Sequence, residues 1–250
     1  MPKRAAQLSL ASAIVIWLLV VAGGIVRVTG SGLGCGPDWP LCNGAVIPAF
    51  TLPTFIEWAH RLIAAAGSAL VLATVFVGWR SVGRRSAIRW LAGGTGLTLL
   101  VQILLGAVTV KLDLAFQVVA IHLGVAAVML ALLAAMATIA SSRGRVADTG
   151  GGLARLALAT TAATYLLILI GAYMMGSGGS LGCTTFPLCD GGQVLPTVTV
   201  ARTHMLHRYA ALGVGLLLAA TAIQARRRRP DDRPINAVVA VADKRSTSAR

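Results

Sequence analysis

Four histidines, one glutamate and four cysteines are the residues of this chain with chemistry to offer, and their placement is not scattered. Glu57 and His60 lie one helical turn apart in EWAHR, and His204 and His207 lie three apart in HMLHR. His122 stands in VAIHLGVAAV, and Arg61 and Arg208 directly follow His60 and His207. The cysteines form two local pairs, Cys35/Cys42 and Cys183/Cys189. Neutral imidazoles facing each other at one depth of a helical bundle are what a low-spin haem iron takes as axial ligands. Copper or zinc would want the clustered Cys/His donors of a cage, which the spacing does not provide. Glu57 is the only glutamate in the chain, and a carboxylate at such a position suits a proton acceptor. A helix-end carboxylate favoured by the dipole is the plainer reading.

These residues need elements to hold them. The chain has 250 residues, of which 56% are hydrophobic and only 12% charged. With a mean hydropathy of +0.79, it cannot cover a soluble surface, where roughly a quarter of residues are charged. It reads as an all-α membrane protein with six spans, near 9–28, 57–79, 90–110, 117–140, 156–176 and 204–225. On this reading His60 falls three residues into its span and His122 about five into its own, at similar depth.

The net charge of +14 is mostly topology rather than a nucleic-acid surface. Seventeen of the 22 Lys and Arg fall on one side: Lys3 and Arg4; Arg80, Arg84, Arg85 and Arg89; Arg143, Arg145 and Arg155; and Arg226, Arg227, Arg228, Arg229, Arg233, Lys244, Arg245 and Arg250. The positive-inside rule makes that side cytoplasmic, with both termini inside and the cysteine loops outside. The first span reads as a retained helix rather than a cleaved signal, and a bacterial plasma membrane is the expected location.

An internal duplication organises the chain. LGCGPDWPLCNG at 33–44 matches LGCTTFPLCDG at 181–191, and EWAHR matches HMLHR. The offset is 148 for Cys35 to Cys183 and 147 for Cys42 to Cys189 and for His60 to His207. Residues 1–145 then form a first four-helix repeat, 146–229 two helices of a second, and 230–250 a polar tail. A counterpart of His122 would fall near position 269, past the last residue given. His204 takes the place of Glu57, so the halves are not chemically equivalent. Being three apart on one face, His204 and His207 cannot ligate one iron from opposite sides. The loop cysteines suit structural disulfides first and redox-active pairs second, since neither spacing is Cys-x-x-Cys. Arg61 and Arg208 suit either haem propionates or snorkelling to the interface.

Over roughly residues 9–225 these motifs resemble haem A synthase, with GGIVRVTGSGLGCGPDWPLCNG, EWAHR, the histidine of VAIHLGVAAV, GCTTFPLC and HMLHR in order. The resemblance implies two four-helix halves and oxidation of the haem O methyl group to the formyl group of haem A for terminal oxidases. It makes His60 and His122 the ligands of the first-half, substrate haem and Glu57 the catalytic carboxylate. It makes His207 a ligand of a second-half haem B cofactor, and Cys35/Cys42 loop cysteines that assist. Expected partners are haem O and haem A, the enzyme that makes haem O, membrane lipid and a second copy of the chain, with no nucleic acid. Two other classes compete: a membrane thiol-disulfide oxidoreductase using both cysteine pairs, and a haem-holding assembly protein without catalysis.

Overall fold

The computed structural model describes residues 2–80, 87–141 and 151–228. The boundary expected at 145/146, the tail over 230–250, and Arg84, Arg85, Arg143, Arg145, Arg229, Arg233, Lys244, Arg245 and Arg250 lie outside them. Among the described residues, six helices are long and apolar enough to cross a membrane. They are α1 (Pro2–Val28), α2 (Leu52–Arg80), α3 (Ala87–Lys111), α4 (Phe116–Ser141), α5 (Gly152–Gly176) and α6 (Thr199–Arg228). The expected all-α membrane architecture is what the chain adopts.

All six helices begin earlier than hydropathy suggests, α1 by seven residues and α2 and α6 by five each. Thr51 caps α2, its hydroxyl accepting from the Thr54 amide at 3.3 Å, and Pro53 fits a first turn that lacks amide partners in any case. His60 is therefore the ninth residue of α2 rather than the fourth of its expected span, and His207 is likewise the ninth of α6.

The chain divides into two compact units, 1–147 with 168–178, and 148–167 with 179–250. In the first, α1 packs on α2 and α4, and α3 packs on α2 and α4, so the four helices close a ring with α2 and α4 diagonal. Its dry core is far from the cysteine loop: Ile16, Val71, Ala92, Leu99, Met129, Leu133 and Met136 fill it. At that far end Arg80 and Arg89 stack over Phe76 and Trp79, at 4.4 and 4.3 Å.

Polar side chains tie these apolar helices where lipid offers no hydrophobic drive. The Ser12 and Thr74 hydroxyls bond across α1 and α2 at 2.8 Å. In the second unit Thr160 and Thr221 bond across α5 and α6 at the same 2.8 Å. Their offsets, 148 and 147, are those of the cysteines and histidines, so the duplication extends into the helix contacts. Each such bond is worth about 0.6 kcal/mol.

Candidate functional site

The first unit gathers its chemistry at the cysteine-loop end. Cys35 and Cys42 are joined, S–S 2.02 Å, and both are buried. The loop lies against the first turn of α2: a Cβ at Gly34 would stand 2.5 Å from the Pro53 carbonyl oxygen, so only glycine permits this approach. The second unit repeats the arrangement, with Cys183 joined to Cys189 and Gly182 against the Val200 carbonyl.

Glu57, sixth in α2 and 3% exposed, is the latch between helix and loop. Its Oε2 accepts from the Cys35 amide at 2.8 Å. Its Oε1 accepts from Arg61 Nε at 3.0 Å and also from Nη2. Arg61 Nη1 donates to the Asp38 and Leu41 carbonyls, each at 2.8 Å. Arg61 thus spends its guanidinium on the latch and the loop, not on solvent. Arg208 does the same work alone, its Nη1 donating to the Thr185 and Pro187 carbonyls at 2.7 and 3.1 Å.

Asp190 organises the second loop. Its Oδ1 accepts from the Thr184 hydroxyl at 2.7 Å and from the Thr184 and Thr185 amides at 3.0 and 3.1 Å. These bonds, the Thr184 hydroxyl foremost, hold its carboxyl below the usual carboxylate range.

Because Arg61 joins a buried carboxylate to two loop carbonyls, Arg61→Met is expected to loosen the loop. An opening made easier by about 1.4 kcal/mol would speed reduction of the Cys35–Cys42 bond about tenfold. Timed labelling of the freed thiols after adding a small phosphine checks this, with Cys183–Cys189 as internal control.

His60 and His122 project from the diagonal helices α2 and α4, ninth and seventh from their loop ends. That places both about 9–12 Å along their helices. The flanking helices are bare here: Gly23 of α1 faces the His60 ring and Gly106 of α3 faces the His122 ring. In all four histidines Nδ1 is buried without a hydrogen-bond partner. An unpartnered buried polar atom costs about 1–3 kcal/mol, so each of these nitrogens calls for a partner, whether water, an ion or a ligand. For a haem between two imidazoles the first unit supplies one histidine from each side. No group of three or more His, Cys, Asp or Glu close enough to cage a metal ion occurs among the described residues.

In the second unit the described residues offer His204 and His207 from α6 alone, which does not complete a two-histidine iron. One residue escapes a search for titratable groups. Gln102 of α3 has its amide nitrogen 3.1 Å from His122 Nε2, and its Oε1 is buried without a partner. An amide in the middle of an apolar helix was the available signal.

Comparison with known proteins accords with this geometry. A family model described as cytochrome oxidase assembly protein, COX15-CtaA, matches residues 6–53 and 49–243. A haem A synthase of Bacillus licheniformis is 31% identical over 242 residues, covering 94% of this chain and 80% of that protein. Those of Bacillus pumilus and Geobacillus kaustophilus are 32% and 31% identical, covering 82% and 86% of this chain and 69% and 70% of theirs. With the match running through both cysteine loops and all four histidines, the chain belongs to the COX15-CtaA family of cytochrome oxidase assembly proteins.

Proposed function

We propose that this protein is a haem A synthase, an oxidoreductase that converts the methyl substituent of haem O to the formyl group of haem A. The observation that carries the reading is the pair His60 and His122: diagonal helices, similar depth, and a buried ring nitrogen without a partner on each. Relatives about 30% identical bear that name.

In this reading residues 1–145 form the substrate half, with His60 and His122 holding the iron of haem O from opposite sides. Glu57, one turn from His60, is the carboxylate placed to accept a proton at the substrate haem. Arg61 fixes the carboxylate and, with the Cys35–Cys42 loop, covers the loop end of the bundle and limits water entry. Residues 146–229 form the cofactor half, where His207, with His204 beside it, offers one side of a haem B site. A bound haem B supplies one-electron transfer. Both termini lie in the cytoplasm and the cysteine loops outside the plasma membrane, following the charge distribution. The enzyme that makes haem O is the natural upstream partner, and a second copy of the chain a further one.

Both disulfides are buried, Cys35 at 0% and Cys189 at 3% exposure. Thiol exchange needs access for an attacking thiolate, so no observation favours the thiol oxidoreductase. The test is expression in cells that make haem O and lack haem A. Haem A among the extracted haems is the expected result; haem O alone, bound and unchanged, would leave a haem-holding protein.

A further inference from the structure

We propose that Gln102 is the residue that recognises haem O as distinct from haem B, by hydrogen bonding to the hydroxyl of its prenyl-bearing arm; this rests on the haem A synthase reading.

Gln102 is the sixteenth residue of α3, nine before Lys111, which places it about 14 Å from the loop end of that helix. That is close to the level of His60 and His122. Its neighbours Val101, Ile103, Leu104 and Leu105 are apolar. A primary amide set among them carries a desolvation cost that must be met by partners. One end of the amide has a partner, because Nε2 lies 3.1 Å from His122 Nε2. The other end, Oε1, is buried and has none. Turning the amide over exchanges the two atoms without changing the count, so one end remains unpartnered either way.

The ligand that completes this site must bring a small polar group beside His122. Haem propionates are charged and costly at this depth, and they accept but do not donate. A hydroxyl donates and accepts, so it satisfies whichever end of the amide is free. Haem O carries such a hydroxyl on its prenyl-bearing arm; haem B carries a vinyl group at the same position. When the histidine takes iron, the amide end now on His122 also becomes available to that hydroxyl. A site built to hydrogen-bond a hydroxyl rejects the analogue lacking it, because its own polar group is then left unpaired.

The experiment compares the affinities of haem O and haem B for the full chain in lipid nanodiscs. The chain carrying His204→Ala and His207→Ala, which keeps only the first-unit histidines, and its Gln102→Leu, Gln102→Met and His60→Ala versions are each titrated and read by the Soret band. The expected result is a preference for haem O that falls at least about tenfold in both Gln102 variants, through weaker haem O binding. Haem B affinity stays as it was, which also shows that the variants are folded. An unchanged preference overturns the proposal. Equal weakening of both haems also overturns it, since Gln102 would then serve only to orient His122. Failure of the chain with both second-unit histidines replaced to bind either haem, or binding there that survives His60→Ala, instead removes the haem-site reading on which the proposal stands.

Discussion

His60→Ala and His122→Ala are each expected to weaken haem O binding by at least about 100-fold, a loss larger than that for residues acting behind a ligand. Titration of haem O into the purified chain measures it. The two rings come from helices that do not neighbour each other in the ring, and each keeps a buried nitrogen without a partner. Packing alone does not explain that. Buried polar atoms in folded chains find partners, and these two nitrogens have none. On the proposed two-histidine reading each variant should leave a five-coordinate iron at best, and the two losses should not add. His204→Ala, in the other unit, should leave the spectrum of the first-unit haem unchanged.

Glu57→Gln is expected to lower haem A formation by about 10²–10⁴-fold, the range for a positioned proton acceptor. Haem O affinity should be preserved. The glutamine keeps one accepting oxygen, for either the Cys35 amide or the Arg61 guanidinium, and turns an NH2 donor toward the other, so the loop is loosened less than in Glu57→Ala while the charge is gone. Glu57→Ala removes both functions and should additionally expose the disulfide. Haem A formed per bound haem O, together with thiol release under reductant, separates the two roles. A Gln variant that turns over at the normal rate would make Glu57 a latch and nothing more.

The sequence makes the spans and their number plain because lipid demands long apolar helices, and each of the six is legible in composition alone. Their starts are less so. Thr51 and Pro53 open α2 with a capped turn ahead of the expected span, so His60 lies five residues further in. The duplication is readable where it is chemically marked, in cysteines and His-Arg. It is not readable at Ser12, Thr74, Thr160 and Thr221, because hydroxyl residues are common in such helices and their pairing depends on helix rotation. The Glu57–Arg61 pair has the spacing of a helical ion pair and could have been inferred from it. The carbonyls that Arg61 also binds depend on the path of the loop, which local sequence does not specify.

Absorption and EPR spectra of the 250-residue chain loaded with haem O bear most directly on the two-histidine site. A six-coordinate, low-spin iron that turns high-spin in both His60→Ala and His122→Ala is the expected result. A high-spin iron in the unaltered chain, or a low-spin one that survives either substitution, would contradict it.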